Sequence, residues 1–213
     1  MLPGIASRPG LNAGGGELTL EFIGHGTTIS GDCRAGDLLV IGRFRIYDAM
    51  PYPPADWTPI YNRYETGGFG YEYSLAFKIA DGSEAGTNPG GADSGYKTLR
   101  PRNRRISTVT IADQRARSSN NSFGLSVSAN PEKLILFTSV NGDDAVYRSP
   151  TFTLDGVSTP HSIVRMGYRT YGALCHYIHM PGDLENPSNP LPGYYYRSQK
   201  GQSAILAAAL EIE

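Results

Sequence analysis

The chain has 213 residues, 19 Lys and Arg against 20 Asp and Glu, and a formal charge of −1. That near-neutral balance leaves no bulk field to gather nucleic acid or an anionic membrane, and no stretch approaches the roughly 18 consecutive apolar residues of a membrane helix. With 26 Gly, 15 Pro and 14 Tyr, the composition leans to turns and strands, and the length suits one all-β domain with a substantial core.

In chain order, residues 1–16 come first. With Pro3, Pro9 and Gly14-Gly15-Gly16, they read as an extended arm that cannot carry a core. Neighbouring subunits of an assembly are expected to hold it, the alternative being an arm folded against its own domain. Met1-Leu2-Pro3-Gly4-Ile5 lacks the basic start and apolar run of an export signal. Strands are expected at Leu18–Ile23, Leu38–Tyr47, Tyr71–Ile79, Ile106–Ile111, Phe123–Val127, Lys133–Val140, Ala145–Leu154, Tyr168–Ile178 and Ala204–Ile212, where apolar residues recur with period two. In the third, Tyr71, Tyr73, Leu75, Phe77 and Ile79 share an apolar face, and Glu72, Ser74, Ala76 and Lys78 a wet one. Asn141-Gly142-Asp143-Asp144 predicts a hairpin between the sixth and seventh, because Asn-Gly tolerates positive φ. The last segment is rich in helix formers, but its Leu206, Ala208, Leu210 and Ile212 alternate, which predicts a strand.

An internal repeat runs through this pattern. Asp37-Leu38-Leu39-Val40-Ile41 answers Lys133-Leu134-Ile135-Leu136-Phe137, and Ser74–Gly82 answers Ala173–Gly182. Two similar halves, about 17–112 and 113–213, are expected to interleave their strands in one jelly-roll-like antiparallel β-sandwich covering 17–213, with residues 1–16 as the arm.

Little in the sequence points to catalysis. Cys175-His176-x-x-His179 has the residue types of a metal site, but a strand sends Cys175 and His176 to opposite faces and separates Cys175 from His179 by about 13 Å, against the roughly 2.3 Å reach of a zinc ligand. Cys33 and Cys175 read as reduced, buried small side chains, which fits assembly in a reducing cytoplasm. Asp32, Asp37, Asp93, Asp143 and Asp144 are the acids a sandwich glycosidase would draw on; their turn contexts favour Asp for backbone reasons. A calcium ion at Asn141–Asp144 would lack the six to eight oxygens it needs.

Two features point to binding. Arg100, Arg102, Arg104 and Arg105 put four arginines in six residues, without the interleaved aromatics of a single-strand nucleic-acid binder; a solvated or intersubunit salt-bridging segment is expected. Tyr52, Tyr61 and Tyr64, with Tyr47 and Trp57, lie in or beside the Pro-rich stretch Pro51-Tyr52-Pro53-Pro54, and Tyr194, Tyr195 and Tyr196 follow a second Pro-rich loop, Pro187–Pro192. Tyrosine offers a flat apolar face with a polar edge, which suits sugars and protein interfaces alike. Trp57, set between the Pro-rich turn and Pro59-Ile60, is expected to anchor the core.

The order of the signals carries a resemblance. Ala35-Gly36-Asp37 precedes Leu38-Leu39-Val40-Ile41; Trp57-Thr58-Pro59-Ile60 follows, then Phe77-Lys78-Ile79-Ala80-Asp81-Gly82-Ser83-Glu84, then Leu99-Arg100-Pro101-Arg102-Asn103. This resembles the virion-associated β-sandwich proteins of tailed bacteriophages and prophages, of tail-fibre or tail-tip type, over roughly residues 18–112. It departs at Asp56, where that group has Gly, and at Phe77, where it has Tyr. The resemblance implies a non-enzymatic tail or tail-fibre subunit, assembled in the host cytoplasm as a homo-oligomer. Its partners would be other virion subunits and a host-surface glycan, and the resemblance carries over no catalytic residue; on the charge, hydropathy and strand geometry above, no cofactor, metal, nucleic-acid or membrane partner is expected. The rival expectations are a head decoration or head-fibre protein and, in another class, a glycan-binding adhesin or glycosidase module.

Overall fold

The computed structural model describes residues 16–46, 53–66, 71–119, 123–142, 151–159, 162–166, 172–197 and 203–213. Residues 1–15 of the expected arm, Tyr47 and Tyr52 lie outside them. In the described residues the chain is all-β and antiparallel, as a β-sandwich requires. Its strands are β1 (Thr19–Gly26), β2 (Leu38–Ile46), β3 (Thr58–Thr66), β4 (Tyr71–Ile79), β5 (Ser94–Arg102), β6 (Val109–Ser119), β7 (Phe123–Ala129), β8 (Leu134–Gly142), β9 (Thr151–Leu154), β10 (Val157–Ser158), β11 (Ser162–Met166), β12 (Gly172–His179), β13 (Leu191–Arg197) and β14 (Ser203–Ile212). They form three sheets: sheet A in the order β1-β5-β2-β4-β3, sheet B in the order β11-β12-β8-β14-β6, and sheet C in the order β10-β9-β13-β7.

The sheets are stacked in three layers with B in the middle. Leu38, Val40, Leu75 and Leu99 of sheet A meet Leu136, Val140, Leu174, Leu206 and Leu210 of sheet B in one apolar layer. Ile135, Phe137, Cys175, Ile205 and Ala207 on the other face of B meet Leu125, Val127, Phe152, Leu154 and Tyr195 of sheet C in a second. This double burial explains why β14 is a strand despite its alanines. Leu206, Ala208 and Leu210 face A while Ile205, Ala207 and Ala209 face C, and burial on both sides outweighs a helix preference of a few tenths of a kcal/mol per residue.

The halves do repeat, but they do not interleave. Every strand of sheet A comes from residues 19–102, and every strand of B and C from 109–212. Taken in chain order, the five strands of sheet B are β6, β8, β11, β12 and β14, and they lie side by side as first, fifth, second, fourth, third. The five strands of sheet A lie in that same order. The repeated sequence segments fall on β2 and β4 of sheet A and on β8 and β12 of sheet B, hydrogen-bonded neighbours in each. Sheet C is made in the intervals of the second copy, by β7, β9, β10 and β13. In the first copy the described parts of those intervals are loops, and their Ile29, Cys33, Trp57, Ala80 and Ala85 close over the outer face of sheet A with Leu39, Ile41, Ala76 and Tyr96.

That cover corrects the expectation of a wet face on β4, since Ser74 and Ala76 are buried and Ile79 is exposed. Asn141 and Gly142 do not form the expected turn. Both residues continue β8, which pairs with β12 and β14, whereas β9 pairs in sheet C; Asp143 and Asp144 lie outside the described residues. Asn-Gly permits a tight turn without demanding one, and Gly142 is needed for another reason. A Cβ there would lie 2.1 Å from the Tyr73 hydroxyl across the A–B layer.

The segments that carried the resemblance meet at one end of sheet A. The Gly36 N–H donates to the Ala80 carbonyl and the Ala80 N–H to that of Asp37, at 2.8 Å each. Arg100 forks onto the Asp37 carboxylate from Nε at 3.0 Å and Nη2 at 2.8 Å, and the Arg34 N–H adds a third donor. Glu84 accepts from the Asp81 and Gly82 N–H groups and pairs with Lys78 at 2.8 Å. Asp56 takes φ 68°, in the left-handed region that glycine enters without strain and Asp tolerates. These residues therefore fix turns and docking at the sheet end. Asp37→Asn, which keeps the acceptor and loses the charge, is expected to cost about 1–2 kcal/mol. Its urea midpoint should fall at an unchanged m-value; a midpoint equal to the parent's contradicts this reading.

Candidate functional site

The tyrosines of β13 divide by parity. Gly193 and Tyr195 point inward, where a Cβ on Gly193 would lie 2.8 Å from the Phe137 ring and Tyr195 stacks 4.5 Å from Phe152. Burial pushes the Tyr195 phenol well up from its ordinary value. Tyr194 and Tyr196 therefore point outward, 40% and 44% exposed. Their cross-strand neighbours are small: Ser126 and Thr153 flank Tyr194, and Gly124 and Thr151 flank Tyr196. The result is a shallow platform of two aromatic rings about 7 Å apart, bordered by hydroxyls on a rigid sheet. It can stack on a flat apolar face and exchange hydrogen bonds at its edge.

Of the other expected contact tyrosines, Tyr61 does not join this platform. Tyr61 lies in β3 at the edge of sheet A and packs against the A–B core. Tyr64 is also in β3, and Tyr52 lies outside the described residues. Tyr195 is corrected from contact residue to core.

The arginines do not act together. Arg100 belongs to the Asp37 clasp, with Asp37 only 2% exposed, and this neighbour pushes the guanidinium further up from its ordinary value. Arg102 pairs with Glu21 across β1 and β5. Arg104 and Arg105 are exposed just beyond β5. Sequence reasoning missed this split because the paired acids lie 63 and 81 positions away.

The chemistry-bearing residues are equally dispersed. Asp32 and Asp93 sit in turns and offer their carbonyls to Arg100 and Phe44, while the Asp37 carboxylate is held by Arg100. Cys175 faces sheet C in the second core layer, and His176 on the opposite face lies 5.0 Å from the Phe22 ring. His179 Nε2 approaches the Pro131 carbonyl at 3.1 Å. Burial pushes the Cys33 thiol up to about 11 and the Cys175 thiol up to about 12, so both behave as small apolar groups. Among the described residues no three His, Cys, Asp or Glu side chains are placed to hold a metal.

A polar cluster that the sequence did not suggest lies at the seam of sheets A and B. Lys97 on β5 is fully buried, and its ammonium donates to Ser162 Oγ on β11 at 3.0 Å under the Phe22 ring, 5.5 Å away. His25 Nδ1 stands 3.4 Å from the same Ser162 Oγ, and His176 borders Phe22 from β12. Burial pushes the Lys97 ammonium down to about 8. It also lowers His25, with a further contribution from the Lys97 charge.

An all-β antiparallel protein with a duplicated five-strand sheet is what these features define. Compared with known proteins, the chain matches no family model, no curated protein and no solved structure.

Proposed function

We propose that the protein is a non-enzymatic structural component of a bacteriophage particle, a tail or tail-fibre subunit that works by adhesion through the Tyr194–Tyr196 platform. The observation that carries the contact surface is the platform itself, two exposed rings among small hydroxylic neighbours on the outer sheet. The order of signals from Ala35 to Asn103 supports the phage assignment by resemblance. The strands of the second half support a jelly-roll reading: β6-β14-β8-β12, with β11 added at its edge, and β7-β13-β9-β10 are two facing rows, and the chain crosses repeatedly from one to the other. The partners proposed are further copies of this chain and other virion subunits, with a host-surface glycan as the second ligand the same rings would stack on.

The test is a double substitution, Tyr194→Ala with Tyr196→Ala, in the chain and in the particle. Both rings are on the surface, so the unfolding free energy should stay within about 0.5 kcal/mol of the parent, while incorporation into particles or attachment to host cells is lost. Immunogold labelling should place the protein on the tail. Label confined to the head would replace this reading with a head decoration protein, and retention on a glycan array without incorporation into particles would replace it with an adhesin.

A further inference from the structure

The seam cluster has a composition that a structural core does not need. Lys97, His25 and His176 are three bases on three different strands, with Ser162 on a fourth, and among the described residues no carboxylate pairs with Lys97. A buried ammonium is costly unless it is paired, and an ammonium has three N–H donors. One goes to Ser162, and among the described residues no acceptor is placed for the other two. A neutral anchor would sit more cheaply beside an apolar neighbour than beside an imidazole.

The placement of His25 is the second observation. In the β1–β5 ladder Phe22 pairs with Leu99 and Gly24 with Thr98, so Ile23 is an extra residue, a β-bulge. Up to Phe22, even-numbered residues of β1 face sheet B, as Leu20 does. The bulge reverses the alternation, so that His25 pairs with Lys97 and faces inward beside it. Without the bulge His25 would point away from the seam. Bulges are used to re-aim side chains in this way. Lys97 itself is fully buried, so a ligand reaches its ammonium by displacing the exposed Phe22 ring that lies over it, beside exposed His25 and half-buried Ser162.

We infer that the seam between sheets A and B is a binding site for a small oxyanion of the phosphate, sulfate or carboxylate type, with Lys97, His25 and Ser162 as its ligands. Lys97 supplies the point charge, as lysine does in phosphate sites. The Ser162 hydroxyl and a His25 ring N–H donate to separate oxygens, which a monatomic anion cannot offer. Among the described residues, the polar groups that surround Lys97 from the packed strands favour an anion: His25 from β1, Ser162 from β11, and His176 from β12. Cys175 on β12 is a neutral thiol. Affinity should fall as pH rises through the region where Lys97 loses its proton.

The experiment is thermal unfolding of the full chain in a zwitterionic buffer at pH 6.5 and pH 10, with sodium phosphate, sulfate or acetate against chloride at equal ionic strength. At pH 6.5 an oxyanion should raise the Tm by several degrees over chloride, and the increment should vanish at pH 10. Lys97→Met should abolish it, and Ser162→Ala and His25→Gln should each weaken apparent affinity about tenfold. Phosphate and sulfate acting above acetate identifies a free inorganic ion; acetate acting alone identifies a carboxylate of another polypeptide. Equal responses to chloride and to all three oxyanions overturn the proposal, as does an undiminished response in Lys97→Met. Should Lys97→Met fail to fold, His25→Gln at its exposed position decides: an unchanged response overturns the site as described.

Discussion

Trp57→Ala is expected to destabilise the protein by about 3–5 kcal/mol, the cost of emptying a large aromatic site in a core. Trp57 is 7% exposed and lies among Ile29, Cys33, Leu39, Ile41, Ala76, Ala80 and Tyr96, with the Tyr96 ring 6.4 Å away. Among the described residues no second sheet lies over the outer face of sheet A, which is covered by the loops that Trp57 helps to hold down. Its removal would uncover Leu39 and Ile41 and leave a cavity the size of an indole. Urea unfolding measures the effect, as a lower midpoint. A variant as stable as the parent that no longer attaches to host cells would show that Trp57 serves a ligand instead.

Stability should rise with pH by about 3 kcal/mol through Lys97 alone. The folded protein holds this ammonium down to about 8 because it is buried, against an unfolded value of 10.5. Those values differ by about 2.5 units at roughly 1.36 kcal/mol each. Between pH 8 and pH 10.5 the unfolded chain therefore binds more protons than the folded one, and stability increases across that window. Below pH 8 the whole cost of the buried charge is present, and above pH 10.5 it is gone. Lys97→Met should lose this slope and be at least as stable as the parent at pH 7 in chloride. Unfolding curves at pH 7 to 10.5 that run parallel for the two proteins would show that Lys97 is not desolvated as described.

Much of the fold was legible because burial on one face leaves period-two alternation. The alternation in Leu38–Tyr47, Phe123–Val127 and Ala204–Ile212 marks strands that the structure has at Leu38–Ile46, Phe123–Ala129 and Ser203–Ile212, and the duplication is visible in Leu38–Ile41 against Leu134–Phe137. The strands that were missed have local reasons. β3 begins with Thr58-Pro59, and β13 with Leu191-Pro192-Gly193, where Pro and Gly signal turns. Pro59 is tolerated because β3 is an edge, and Pro192 because β13 there has β7 but not β9 beside it. β5 is hidden by Ser94, Lys97, Thr98 and Arg100, polar residues that break the apolar alternation; Lys97 finds Ser162 and Arg100 finds Asp37, each more than 60 positions away. Of the candidate contact residues, Tyr194 and Tyr196 are brought to one surface and Tyr195 is turned away, a division that follows from alternation once β13 is known to be a strand.

The sequence by itself determined the all-β class, the repeat of two similar halves, the core role of Trp57 and the strand at the C-terminus. These follow from composition and from side-chain periods that any packed strand must obey. Only the tertiary structure decided that the halves stack in three layers instead of sharing sheets. Whether the loops between strands become a third sheet or a covering of side chains depends on contacts between residues far apart in the chain. It alone also joined His25, Lys97, Ser162 and His176 at one seam and paired Arg100 with Asp37. Electrostatics depends on distance in space, and a residue's nearest charge is set by the order in which strands lie side by side.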